Sequence, residues 1–336
     1  MRATTALMIG GATVGAAAMA NTIIASRVRR QETVLDGNKG IYPWKHGTVR
    51  YTVAGEGDPV LFIHSIGAGV SSFEWRDNFG PLSERFRCYA PDLLGFGLSD
   101  KPKMRYSAGL YVELLTDFIM NEIGEPASVV ASSHSASYAL LTAQKHSQII
   151  KRLILICPAG MIGISPTMGT SGALVGNLTS VPVFGRSAYF SMTSRASIEQ
   201  MLRVIYFDKT RITSDLIDAY WQASHQPGAS FAVRSFLSGS LDADVRPALE
   251  KLDTPCMLVW GREAVLSPLD VAGQLLEIKP DLELRIIEKA GSLPHDERPE
   301  EFNDIAVSVL ARPSEEERIH KAVKEMQKEI EQTSGV

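Results

Sequence analysis

Ser128-Val129-Val130-Ala131-Ser132-Ser133-His134-Ser135-Ala136-Ser137 is the stretch from which the fold can be read. Its valines form a short apolar run of the kind that makes a buried strand. The run stops at a cluster of tiny residues, and Tyr138 to Ala143 then opens a helical pattern. A strand that turns sharply into a helix, with a serine at the corner, presents a hydroxyl for nucleophilic attack in the frame Gly-x-Ser-x-Gly. Centred on Ser135, the frame puts Ser133 and Ser137 at the two glycine positions. Small residues are needed there because strand and helix nearly touch. Ser135 is therefore the expected nucleophile, although serine-rich turns also occur at ordinary helix starts.

Working outward, the same strand-and-helix rhythm repeats. Strands are expected at Thr48–Val53, Pro59–His64, Arg87–Pro91, Lys151–Cys157, Pro255–Trp260 and Leu282–Ile287. Helical patterns lie between them, at Trp75–Phe86, Tyr111–Ile123, Pro268–Ile278 and Pro299–Leu310. Strands separated by helices of this length argue for an α/β class with a mostly parallel sheet. Residues 31–46 read as a linker, and residues 47–312 as the main domain. From Pro158 to about Ser230 the rhythm breaks into a helical insertion, residues 158–230, carrying Met161, Met168, Met192 and Met201. Such a cap suits an apolar ligand, because methionine side chains adapt to irregular shapes.

Composition bounds the function. The 336 residues are 45% hydrophobic, enough for one large core, and the formal net charge is −4. No basic surplus points to nucleic acid. Cys88, Cys157 and Cys256 lie far apart in or beside apolar runs. They suggest neither a disulfide framework nor a metal site, and no cofactor motif is present. No metal, cofactor or nucleic acid is expected.

The two ends differ from the middle. Residues 3–26 carry no charge. As a helix they would span about 36 Å, enough for a hydrocarbon core of about 30 Å. Small residues at Gly11 and Gly15 fit close helix packing in a bilayer. Arg27, Arg29 and Arg30 follow the segment, against Arg2 before it, which favours a cytoplasmic domain behind a single-pass anchor over residues 1–30. Ala18-Met19-Ala20 has the form of a signal cleavage site, so export after cleavage near Ala20 is the alternative. At the other end, Ser314 and Glu317 form a capping box. Ile319, Val323, Met326 and Ile330 then make a heptad stripe on a charged helix over residues 313–336, suited to self-association or a membrane-protein partner.

Five motifs in order give the chain a family likeness. They are His64-Ser65-Ile66-Gly67, the run from Pro91 to Ser99, the Ser135 turn, Trp260-Gly261-Arg262-Glu263, and Pro294-His295-Asp296-Glu297-Arg298-Pro299. With them, residues 47–312 resemble the α/β-hydrolase superfamily. The likeness is strongest to its capped branch of epoxide hydrolases, haloalkane dehalogenases, peroxidase-like esterases and pheophytinase-like proteins. The dehalogenases and epoxide hydrolases use an aspartate nucleophile, so the serine points instead to ester-type acyl transfer. The resemblance implies oxyanion donors at the backbone N–H groups of Ile66 and Ala136.

The resemblance also implies a catalytic acid and a catalytic histidine, and both positions are altered. Ala264 occupies the acid position after Gly261, and Ser292 the histidine position in Gly291-Ser292-Leu293-Pro294-His295. A serine hydroxyl is a poor nucleophile until a base takes its proton. Removing the base of a serine triad costs on the order of 10⁶ in turnover. The expectation is therefore a membrane-anchored protein of this fold without standard triad chemistry, binding an apolar small molecule or serving as a partner subunit. The alternative is an active serine hydrolase of apolar esters or lipids. In it, His295 would act as base with Glu263, Asp270 or Asp296 as orienter, or His225 would reach down from the cap.

Overall fold

Pro59–Ile63 and Ala127–Ser132 become neighbouring parallel strands with every residue buried. Burial on both faces is why residues 60–63 and 129–131 are unbroken apolar runs rather than alternating ones. The computed structural model describes residues 18–29, 34–164 and 184–313. In chain order the strands are β1 (Asn38–Trp44), β2 (Gly47–Ala54), β3 (Pro59–Ile63), β4 (Arg87–Pro91), β5 (Ala127–Ser132), β6 (Ile150–Ile156), β7 (Cys256–Gly261) and β8 (Glu283–Ile287). They lie side by side as β1-β2-β4-β3-β5-β6-β7-β8. Only the β1–β2 and β2–β4 pairs are antiparallel. The α/β class and the mostly parallel sheet are thus as expected, and β5 sits centrally.

Two local readings change. The expected linker, residues 31–46, contains β1. Gly37, Gly40 and Pro43 read as strand breakers, yet an edge strand tolerates proline. Gly40 is required, because a Cβ there would lie 1.9 Å from Cζ of Tyr51. Trp44 fastens the strand by donating from Nε1 to Asp117 Oδ2 at 2.8 Å. The helix expected over Trp75–Phe86 splits into a 3₁₀ turn, Ser72–Trp75, and a short helix, Phe79–Ser83. Pro81 has no N–H to donate back a turn, so it is tolerated only near a helix start.

Between β6 and β7 the chain forms the cap, with helices Phe184–Met192, Arg195–Ile205, Ser214–His225 and Ser230–Leu237. The insertion therefore continues past residue 230 to Leu237. Ser194 and Thr213 cap two of these helices by accepting from Ser197 N and Leu216 N, each at 3.2 Å. A buried ionic cluster fastens cap to core. Asp296 accepts from both Arg76 Nη atoms, at 2.8 and 2.5 Å, and from the cap's Tyr206 Oη at 2.5 Å. Arg211 of the cap adds a bond from Nη2 to Asp296 O at 2.6 Å.

The expectation of a single-pass membrane protein with a cytoplasmic domain is corrected. Among the described residues no helix is long and apolar enough to cross a membrane. The described part of the expected anchor, a helix over residues 18–26, lies against the cap. Asn21 is buried and accepts from Ser187 Oγ at 3.2 Å, and Ile24 packs on the core. Arg29 continues the contact, its N–H to Gln222 Oε1 and its carbonyl from Gln226 Nε2, both at 2.9 Å. Cleavage near Ala20 would cut within this docked helix. The C-terminal helix expected over 313–336 lies outside the described residues beyond Pro313.

Candidate active site

The turn after β5 is sharp, and the residue that makes it is Ser133. Its φ of 54° and ψ of −126° lie where a non-glycine residue is strained. Strain of this kind costs on the order of 1–3 kcal/mol and persists only where the surroundings over-determine it. Here the Ser133 N–H donates to Ile156 O at 2.9 Å, and its carbonyl accepts from Ala136 N at 3.1 Å. Ser133 lines a cavity of about 330 Å³ between the sheet and the cap.

Ser135, the expected nucleophile, faces the other way. It is wholly buried, and its Oγ donates to the carbonyl of His64 at 2.6 Å. It thus ties the elbow helix, His134–Lys145, to the end of β3. The frame is displaced by two residues: Ala131 and Ser135 occupy the small positions, and Ser133 the corner. The expected oxyanion donor moves with it. The Ala136 N–H is spent on Ser133 O, whereas His134 is the first helical residue, whose N–H has no acceptor within the helix. Ile66 lines the cavity beside Ser133, so its place in the oxyanion loop is compatible with the geometry. Ser135→Ala is expected to cost about 1 kcal/mol of stability, the worth of one buried hydrogen bond. It should leave covalent labelling of the pocket intact, which a urea melt and a labelling assay would check.

The histidines next to the elbow are committed elsewhere. His64 Nε2 accepts from Leu93 N at 3.0 Å, which leaves Nδ1 to donate to Ser65 O at 2.7 Å. His134 pairs with Asp242 at 3.1 Å and meets Phe236 edge-on. Gly160 must be glycine to clear that ring, since a Cβ would lie 2.1 Å from His134 Cδ2.

Neither expected base reaches the cavity. His295 is wholly buried, with Nε2 3.2 Å from Glu74 Oε1 and its ring 4.5 Å from that of Trp75. Glu74 also accepts from Ser65 N at 2.9 Å and Ser65 Oγ at 2.5 Å. His295 and Ser65 hold its carboxyl below the usual range despite burial. This unit braces the loop that follows β3, and it gives Ser65 a structural role. His225 stacks between Phe190 and Trp221, at 4.7 and 4.4 Å, with Nδ1 2.8 Å from Trp221 O. Burial lowers its pKa. The proposed orienters are occupied too. Asp296 belongs to the arginine cluster, Asp270 is exposed, and Glu263 accepts from Ala290 N at 2.9 Å.

The loops that carry the acid and histidine positions nevertheless keep close register. Glu263 N donates to Ala290 O at 3.0 Å. A Cβ on Gly261 would lie 1.9 Å from Gly291 O, so the two backbones are in contact. Ala264 and Ser292 are both buried, and Ser292 lines the cavity. The cavity walls are largely apolar, with Val70, Met192, Met201, Ile205, Val233 and Leu237 among them. Two of the expected cap methionines therefore face it, whereas Met161 packs in the core and Met168 lies outside the described residues. Cys157 also lines it, and burial pushes its thiol up to about 12. No group of three or more metal-ligating side chains occurs among the described residues.

The fold is shared with known proteins. The profile of the alpha/beta hydrolase family matches residues 60–305. The 2-hydroxy-6-oxo-6-phenylhexa-2,4-dienoate hydrolase of Comamonas testosteroni is 27% identical over 273 residues, covering 78% of this chain and 91% of that protein. The 2-hydroxymuconate semialdehyde hydrolase of Pseudomonas sp. strain CF600 is 26% identical over 268 residues, covering 77% and 88%. Among solved structures, a meta-cleavage product hydrolase superposes with a TM-score of 0.66 at 25% identity, covering 81% of this chain and 97% of that one. An epoxide hydrolase shares the fold, with a TM-score of 0.69 at 20% identity, covering 82% and 98%.

Proposed function

Because the chain belongs to the alpha/beta hydrolase family, we propose that it is a hydrolase of neutral, apolar carbonyl compounds, with Ser133 as the nucleophile. The observation that carries this reading is the strained Ser133 at the floor of an apolar cavity. Strain at one position of a central strand end is costly, and it serves to expose the hydroxyl. In this reading the amides of His134 and Ile66 receive the oxyanion as the carbonyl carbon becomes tetrahedral. The named relatives are all hydrolases, which favours turnover over a purely binding role.

The substrate differs from theirs in one respect. The relatives' names describe acidic dienoates or a muconate semialdehyde. No Lys or Arg lines the cavity among the described residues. Burying a carboxylate there without a partner is costly. A neutral ester or ketone fits better.

Incubation with a fluorophosphonate probe tests the reading. A mass adduct on Ser133 that disappears in Ser133→Ala supports it. A folded protein in which Ser133 neither labels nor contributes to the turnover of any ester would favour the second reading, an apolar-ligand binder, for which Ala264 and Ser292 speak.

A further inference from the structure

Among the described residues the cavity lacks a base of its own. Its titratable lining residues among those described are Cys157, Tyr189 and Tyr220. Burial raises all three, so each keeps its proton near neutral pH. The remaining polar lining is hydroxylic. Ser65 Oγ donates to Glu74 at 2.5 Å, Thr193 Oγ1 to Tyr189 O at 2.8 Å, and Ser267 Oγ to Pro158 O at 2.6 Å. Ser292 differs from these. It is 7% exposed, its Oγ has no hydrogen-bond partner, and its side chain borders the same cavity as Ser133. A buried hydroxyl without a partner costs on the order of 1–3 kcal/mol. That cost is recovered when a ligand supplies the missing partner.

We propose that the substrate brings its own base, an azole ring in its acyl half that sits between Ser292 and Ser133. The inference rests on Ser133 being the nucleophile. An azole of the imidazole type has one N–H and one bare nitrogen. Its N–H donates to Ser292 Oγ, which fixes the ring and leaves the bare nitrogen facing Ser133. Ser133 Oγ then bonds to the carbonyl carbon as its proton passes to that nitrogen. The carbon–oxygen bond to the alcohol breaks, and the alcohol leaves with the proton. The azole remains with the acyl group, so it can next take a proton from water as the water attacks acyl-Ser133. The carboxylic acid departs, and the proton returns to Ser133. Ser292 thus supplies the orienting acceptor, and the apolar walls accept the rest of the chain.

The test compares two p-nitrophenyl esters of equal length, one ending in imidazol-4-yl and one in phenyl, on the full chain. General base catalysis contributes roughly 10²–10⁴-fold. The azole ester is therefore expected to exceed the phenyl ester in kcat/KM by at least about 10²-fold after subtraction of its rate with Ser133→Ala. Ser292→Ala is expected to shrink that ratio. Its kcat/KM should lose dependence on the azole while the circular dichroism spectrum stays native. Equal rates on the two esters, from a protein whose Ser133 labels with fluorophosphonate, would overturn the azole proposal and leave the hydrolase reading standing. If Ser133 neither labels nor contributes to either rate, both fall together.

Discussion

Placing Asp at Ala264 and His at Ser292 in the same chain should raise turnover of neutral p-nitrophenyl esters by at least about 10³-fold. The expectation follows from how little else about the site has changed. The Gly261 and Gly291 backbones still touch, and Glu263 and Ala290 still exchange hydrogen bonds at 3.0 and 2.9 Å. A histidine at position 292 would enter the cavity that Ser133 lines, and a carboxylate at 264 would stand on the adjoining loop. An imidazole there takes the Ser133 proton, and the carboxylate stabilises the charged ring that results. The full cost of losing a triad base is on the order of 10⁶, so a gain of 10³ allows for imperfect geometry. Ser292→His alone should give a smaller gain, because the ring then lacks its orienter. Initial rates for the double variant, with and without Ser133→Ala, decide the matter. A folded double variant no faster than the unaltered protein would mean that Ser133 is not poised for attack.

The largest effect on stability is expected at Asp296. Its side chain is 1% exposed and holds Arg76, Arg211 and Tyr206 together. Arg76 and Arg211 both have raised pKa values, in which Asp296 opposes the effect of burial. Asp296→Ala leaves a largely buried guanidinium and a buried phenol without their acceptor. Breaking one partner out of such a pair typically costs about 3–5 kcal/mol. Urea unfolding should show a loss in that range. Asp77 is also bonded to Arg211, but it is partly exposed, and the Tyr206 hydroxyl donates to Asp296. Asp296→Asn keeps an acceptor for Tyr206 and should lose less. A loss below about 1 kcal/mol in Asp296→Ala would show that the cap does not depend on this cluster.

The central strands are legible in the sequence because β3 and β5 are apolar at nearly every position, as burial on both faces demands. The elbow is legible as a place but not as a residue. Ser132, Ser133, Ser135 and Ser137 are all small enough for the tight approach, and no glycine marks the frame. What separates them is backbone angle, since only Ser133 of these has positive φ. The better signal was Ala131, the smallest residue before the corner, which sets the frame two residues earlier. β1 is hidden by the glycines and proline that suit an edge. The fate of His295 depends on Glu74, more than two hundred positions away, and no local pattern announces such a partnership. Ala264 and Ser292 needed no structure to notice. What the structure adds is that, among the described residues, no other histidine has moved into the vacant role.

The protonated state of Cys157 has a practical consequence. Alkylating electrophiles react with thiolate, and a thiol held near 12 offers almost none at neutral pH. Cys88 and Cys256 are likewise pushed up by burial. Chloroacetamide and acrylamide warheads should therefore pass this protein by, even when an apolar scaffold carries them into the cavity. A covalent screen against it would meet little thiol background, so an adduct would be sought first on the serine at the bend.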